Sequence, residues 1–109
     1  MASTKDPSLA ALAALAALAT LCDQLSDKTR LQLVLLLAKG DRDVSSLSKE
    51  LKLKQPSVSH HLGLLRMNGL IVGNRKAKQV FYSLAENFKV SGGKIKISLA
   101  NATVTVEGL

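Results

Sequence analysis

Three stretches decide how this chain is read: Ser48-Lys49-Glu50-Leu51, then Leu53-Lys54-Gln55-Pro56-Ser57-Val58-Ser59-His60-His61-Leu62, and shortly afterwards Val80-Phe81-Tyr82-Ser83-Leu84. The order is helix, tight turn, second helix, then a two-stranded hairpin. That is the order of a winged helix-turn-helix, whose second helix is shaped to lie in a DNA major groove. The chain has 109 residues, enough for one domain with a modest core. It carries no nucleophile–base pair and no paired carboxylates, so enzymatic activity is not expected and function falls to a surface.

The second helix of the pair sorts its own faces. With Val58 at the centre of the buried side, Leu62 and Leu65 fall about 40° and 20° to either side at 100° per residue, so all three pack inward. Pro56, Ser57, His60, Gly63, Leu64 and Met67 then point outward, with Ser59, His61 and Arg66 on the flanks. The outer face near the helix start is short and hydrogen-bonding, which suits base edges and phosphates. Gln55 is a mediocre N-cap, so the first amides are expected to be free for phosphate oxygens, and Gln55 itself can pair with adenine. Gly63 costs the helix about 1 kcal/mol against alanine, which suggests that bulk there collides with DNA or a neighbouring helix. Ser57 and Ser59 have a purely local alternative, bonding to nearby backbone. Zinc needs three or four ligands, and adjacent histidines diverge by about 100° on a helix, so no metal is expected at His60 and His61. His60 is read as a DNA contact and His61 as a partly buried hydrogen-bonding strut.

Downstream, Asn68-Gly69 ends this helix. Leu70 to Asn74 and Gln79 to Leu84 read as strands flanking a basic tip, Arg75-Lys76-Ala77-Lys78, placed where a wing touches phosphate or the minor groove. A solvated turn is the plain alternative. The expected DNA-facing set is therefore Lys54, Gln55, Ser57, Ser59, His60, His61, Arg66, Arg75, Lys76 and Lys78.

Upstream, Asp43 can cap a helix carrying Val44, Leu47 and Leu51 at helical spacing. Ser26-Asp27 caps a helix over Lys28 to Lys39, whose Leu31, Leu33, Val34, Leu35, Leu36 and Leu37 make it the most buried element expected, and Gly40 stops it. Before it, Leu9, Leu12, Leu15, Leu18 and Leu21 repeat every three residues in an alanine-rich helix that Ser8 or Asp6 can cap. A spacing of three drifts by about 60° per step, so the leucines wrap around the helix instead of forming one seam. A small domain rarely covers a helix on most sides, so these five leucines are read as a dimerisation surface; packing on the chain's own core is the alternative.

Charge is placed asymmetrically. Residues 1–43 hold five basic and five acidic residues, whereas residues 44–109 hold ten basic and three acidic, which accounts for the whole net charge of +7. The excess coincides with the helix-turn-helix and hairpin, which favours phosphate backbones and salt-dependent binding; a solvated surface is the bland reading. Cys22 is the sole cysteine, so no internal disulfide forms, and inert packing is its expected role. Leu9 to Cys22 is uncharged but shorter than the ~20 residues a bilayer needs. Asp6 and Pro7 make a poor charged start for a signal peptide, so a cytoplasmic location is expected.

The last stretch changes character. Lys94-Ile95-Lys96-Ile97-Ser98-Leu99 and Thr103-Val104-Thr105-Val106-Glu107 alternate with period two, follow Gly92-Gly93 and enclose Ala100-Asn101-Ala102, which predicts a second β-hairpin. Its apolar face (Ile95, Ile97, Leu99, Val104 and Val106) needs cover. Asn101-Ala102-Thr103 also fits a glycosylation acceptor, a cheap pattern.

At this point the residues resemble a known family. Asp27-Lys28-Thr29-Arg30-Leu31 resembles the D-x-T-R start of the second helix in ArsR-type winged-helix repressors. Gln55 to Leu62 resembles their recognition helix with its S-x-H-L ending. Arg66-Met67-Asn68-Gly69-Leu70-Ile71 and Val80-Phe81-Tyr82-Ser83-Leu84 resemble the entry to their wing and its second strand. The likeness covers about residues 20–85. It implies a dimeric bacterial or archaeal regulator on a twofold-related operator, dimerising through its first helix and a C-terminal helix. The chain departs from the pattern where metal-sensing members carry Cys-x-Cys, since Val44, Ser45, Ser46 and Leu47 stand there. It departs again at the C-terminal helix with its His, Asp and Glu ligands, which the second hairpin replaces.

The expectation is thus an α+β fold, mainly helical: a three- to four-helix core with a β-hairpin wing and a C-terminal β-hairpin. Residues 1–7 form a tail, 8–85 the DNA-binding unit with helix 8–24 dimerising, and 86–109 the extension. The expected function is a cytoplasmic, prokaryotic or viral nucleoid-associated, homodimeric repressor of double-stranded DNA, with no cofactor, metal or membrane partner. A nonspecific architectural DNA-binding protein and a winged-helix adaptor for other proteins are the alternatives.

Overall fold

The computed structural model describes residues 8–99 and 102–108. The tail expected at residues 1–7, a cap from Asp6, and Ala100 and Asn101 with the expected acceptor asparagine lie outside them. Four helices, α1 (Leu9–Leu25), α2 (Lys28–Leu37), α3 (Val44–Leu51) and α4 (Gln55–Met67), precede and interleave with six strands. These are β1 (Arg42–Asp43), β2 (Ile71–Lys76), β3 (Gln79–Leu84), β4 (Phe88–Ser91), β5 (Lys94–Ser98) and β6 (Thr103–Val106). The architecture is the α+β winged helix-turn-helix the sequence indicates.

Each of the first three helices starts where a short oxygen-bearing side chain can hold an unpaired amide. Ser8 accepts from the Ala11 amide, Asp27 from Arg30 and Asp43 from Ser46. α2 ends at Leu37, two residues short of the expected Lys39. The break between α1 and α2 turns the chain through 99°. Arg30 clasps it: Nε donates to the Gln24 carbonyl at 2.7 Å and a terminal nitrogen to the Asp23 carbonyl at 3.3 Å. A cation on the last carbonyls of a helix also meets the negative end of its dipole. The α3–α4 turn is closed by Lys52 in the left-handed region (φ 58°), by the Leu53 amide on the Ser48 carbonyl and by the Ser48 hydroxyl on the Leu53 carbonyl.

Leu33, Leu47, Val58, Leu62, Leu65 and Ile71 are sealed at the centre of one core, each contributing about 1.5–3 kcal/mol by leaving water. Leu31 departs from expectation and is exposed, because it lies about 200° around α2 from Leu33. Among the described residues no single helix is long and apolar enough to cross a membrane.

The strands form two antiparallel sheets, in the orders β1-β3-β2 and β4-β5-β6. The sequence reading missed β1, which lays Arg42 opposite Tyr82 and Asp43 opposite Phe81 on the far side of the wing. It also missed β4. The C-terminal hairpin is present, with Ile95 opposite Val106 and Ile97 opposite Val104, but it gains a third strand that sets Phe88 opposite Ile97 and Val90 opposite Ile95. Gly92 and Gly93, both at positive φ, make the tight β4–β5 turn. The sheet's apolar face is covered by the chain itself: Phe88, Ile95 and Ile97 are buried in the same core cluster as α2 and α4. Val106, on the outer strand, stays exposed.

Candidate nucleic-acid interface

α4 is held by its inner face alone. Val58, Leu62 and Leu65 are each at most 1% exposed, whereas Gln55, Pro56, Ser57, Ser59, His60 and Arg66 all face solvent. The helix start differs from expectation. Its N-cap is Lys54, not Gln55, and no side chain caps it. The expected crown of free amides is reduced, because Pro56 has no N–H and the Ser57 and Val58 amides both turn onto the Lys54 carbonyl, at 3.1 and 3.2 Å. What this end offers a partner is mainly its polar side chains.

A Cβ added to Gly63 would meet nothing within 4 Å. No neighbouring helix of this chain excludes bulk there, so of the two colliding neighbours considered for Gly63, only one outside the chain is left.

His61 sits half-buried with Nδ1 3.7 Å from Oδ2 of Asp27, the residue that caps α2. It faces that carboxylate without a hydrogen bond to it, and Nδ1 has no other partner among the described residues, so the expected hydrogen-bonding strut is not formed through that nitrogen. The Arg30 amide holds the Asp27 carboxyl below its ordinary value; desolvation opposes it, and lesser help comes from the neighbouring Arg30 guanidinium and from the His61 ring when it carries a proton. Among the described residues there is no group of three His, Cys, Asp or Glu side chains placed to hold a metal.

The wing is a six-residue ladder from Ile71–Leu84 to Lys76–Gln79. Arg75 and Lys76 therefore belong to β2, and the turn itself is Ala77-Lys78. The ladder runs two residues further than the expected tip allows because Ala77 accepts a positive φ of 56° at the first turn position, where a tight hairpin needs one. Arg75, Lys76 and Lys78 are all exposed, and the Lys76 ammonium lies 5.6 Å from the centre of the Phe81 ring.

A second anchor of the wing escaped the sequence reading. Gln79 Nε2 donates to Asp43 Oδ2 at 3.1 Å, while Oδ1 of the same carboxylate caps α3. Hydrogen bonds from the Ser46 side chain and amide keep that carboxyl ionised to lower pH than usual. The turn end of the wing is thus tied to the start of α3. Between them opens a cleft of about 330 Å³ lined by Ser45, Gln55, Lys78 and Gln79, which joins the expected DNA-facing set to two residues it omitted, Ser45 and Gln79. The missing signal was a side-chain pair across 36 positions, which no local pattern encodes.

The expected dimer face divides. Leu9, Leu12 and Leu15 are 85, 47 and 56% exposed and Leu18 is half-buried, but Leu21 is buried against the chain's own core. Leu21 sits where α1 runs down onto α2, so it is not part of a free surface. Cys22, expected to pack, is exposed, because it falls about 100° round α1 from Leu21.

Residues 27–72 match the model of the bacterial regulatory proteins of the arsR family. The solved structure of HlyU from Vibrio cholerae superposes with a TM-score of 0.64 at 33% identity, over 66% of this chain and 78% of that one. The chain belongs to the ArsR family. It is also 42% identical over 67 residues to the biofilm growth-associated repressor of Agrobacterium fabrum, a stretch that covers 62% of this chain. The solution structure of a homodimeric winged helix-turn-helix DNA-binding domain from Mycobacterium bovis superposes with a TM-score of 0.65 at 27% identity, over 75% of this chain and 76% of that one. The chain spans 57% of the Agrobacterium repressor and 58% of its Xylella fastidiosa counterpart.

Proposed function

We propose that this chain is a homodimeric, sequence-specific transcriptional repressor. α4 enters the major groove with Gln55, Ser57, Ser59 and His60 at base edges. Lys54, His61 and Arg66 flank it, and Arg75, Lys76 and Lys78 reach the backbone or minor groove. The observation that carries this reading is the pairing of a helix anchored by Val58, Leu62 and Leu65, with its polar face open, and a cationic wing beside its start. Residues 8–85 act as the DNA-binding unit and 86–109 as an extension packed on it. Leu9, Leu12, Leu15 and Leu18 meet a second copy, whose twofold places the two α4 helices on half-sites about 34 Å apart. The work belongs in a prokaryotic cytoplasm and needs no metal.

Selection of bound sites from random duplex DNA, followed by competition, tests the proposal. A twofold-related site preferred about a thousandfold or more over random duplex supports it. Equal affinity for all duplexes makes the chain an architectural protein instead, and no affinity for duplex makes it an adaptor.

A further inference from the structure

An apolar concave feature lies apart from the DNA-facing residues. A groove of about 430 Å³ runs between the end of α2 and the β4–β5 turn, lined by Leu35, Ala38, Lys39, Val90, Gly93 and Lys94. It shares no lining residue with the DNA-facing set. Its volume lies within the ~300–1,000 Å³ usual for small-molecule sites. Val90 belongs to the sheet's apolar face, opposite Ile95, yet remains 45% exposed at the groove wall. The body of the groove is aliphatic, and its lining side chains offer no hydroxyl, amide or carboxylate. Its only charged side chains are two lysines, one from each wall. Lys94 lies 3.3 Å from Glu107, but both side chains are more than half exposed. Such a pair is weak in water, so the ammonium can turn to another carboxylate.

We propose that this groove binds a fatty carboxylate, with its unbranched alkyl chain along Leu35, Ala38 and Val90 and its carboxylate between Lys39 and Lys94. An aliphatic floor without hydrogen-bonding side chains selects a ligand body without polar groups, and the two ammonium groups select an anionic head. This goes beyond the repressor reading and does not depend on it.

The test is calorimetric titration of the full chain with hexanoate, octanoate and decanoate below their micelle-forming concentrations, with decylamine as the control of opposite charge. NMR locates the site. Affinity should rise on the order of fourfold per added CH₂, with backbone shifts at Leu35, Ala38, Val90 and Gly93. Lys39→Gln with Lys94→Gln should weaken decanoate tenfold or more while leaving the melting temperature unchanged, since both side chains are exposed. Glu107→Gln should tighten binding a few-fold by removing a competing carboxylate. Decylamine binding as well as decanoate, absence of chain-length dependence, or shifts confined elsewhere would each overturn the proposal. So would Val90→Asp dissociating a dimer that decanoate leaves untouched, which assigns the groove to a second copy. Binding to phosphatidylglycerol vesicles without any binding of free decanoate overturns it in favour of a lipid surface.

Discussion

His61 of the reading helix places Nδ1 3.7 Å from Oδ2 of Asp27, and the same oxygen holds the Arg30 amide at the start of α2. One carboxylate thus serves the α2 cap and faces α4. Its pKa is depressed below the ordinary 3.8, first by the Arg30 amide. A carboxyl depressed on folding contributes stability that is fully present above its unfolded value and is lost as pH falls through the folded one. Asp27→Asn should therefore melt below the parent at pH 6 and converge with it as the pH falls below the ordinary carboxylate value. Thermal melts from pH 2.5 to 7 read this directly, and an offset constant across that range contradicts it.

Ser57 and His60 are exposed on the outer face of α4 and contribute nothing visible to the core. Ser57→Ala with His60→Ala should cost the selected site about ten- to a hundredfold in affinity and random duplex much less, because base contacts carry the discrimination. An equal loss on both DNAs removes these two residues from base reading.

Lys76 precedes the wing turn and Lys78 lies in it. Their double replacement by alanine should weaken specific and random DNA alike and flatten the logarithmic salt dependence by about 1–2 units. An unchanged salt slope places the wing off the DNA.

The leucines of α1 separate into two kinds. Leu12→Glu with Leu15→Glu, at exposed positions, should leave the melting temperature of the monomer nearly unchanged and abolish the dimer in light scattering. Leu21→Ala, inside the core, should instead cost about 2–5 kcal/mol of folding stability. A double-Glu variant that remains dimeric moves the interface elsewhere.

Gly63 has open space where a Cβ would go. Gly63→Ala should stabilise the fold by up to about 1 kcal/mol, visible as a rise in denaturation midpoint, while lowering affinity for DNA. A variant that is more stable and binds DNA as before shows that this part of α4 stands clear of the duplex.

The legible features were those written within one or two turns of chain. Ser8, Asp27 and Asp43 announce their caps because the cap and its amide are three residues apart. The inward set Val58, Leu62 and Leu65 follows from helix geometry alone. What stayed hidden depends on distant partners. Arg42-Asp43 is too short to read as a strand, and only its alignment with Phe81 and Tyr82 makes it one. Phe88-Lys89-Val90-Ser91 alternates too briefly to stand out before it finds β5. A leucine every third residue cannot reveal that Leu21 meets α2 while Leu15 meets water, since the pattern is the same at both.

Arg30's grip on Asp23 and Gln24 makes the joint between α1 and α2 a fixed elbow and not a hinge. In a twofold assembly built on α1, that elbow sets the gauge between the two reading heads. A protein so jointed should measure the spacing of its half-sites like a caliper, and a base pair added between them should be rejected even when both halves are intact.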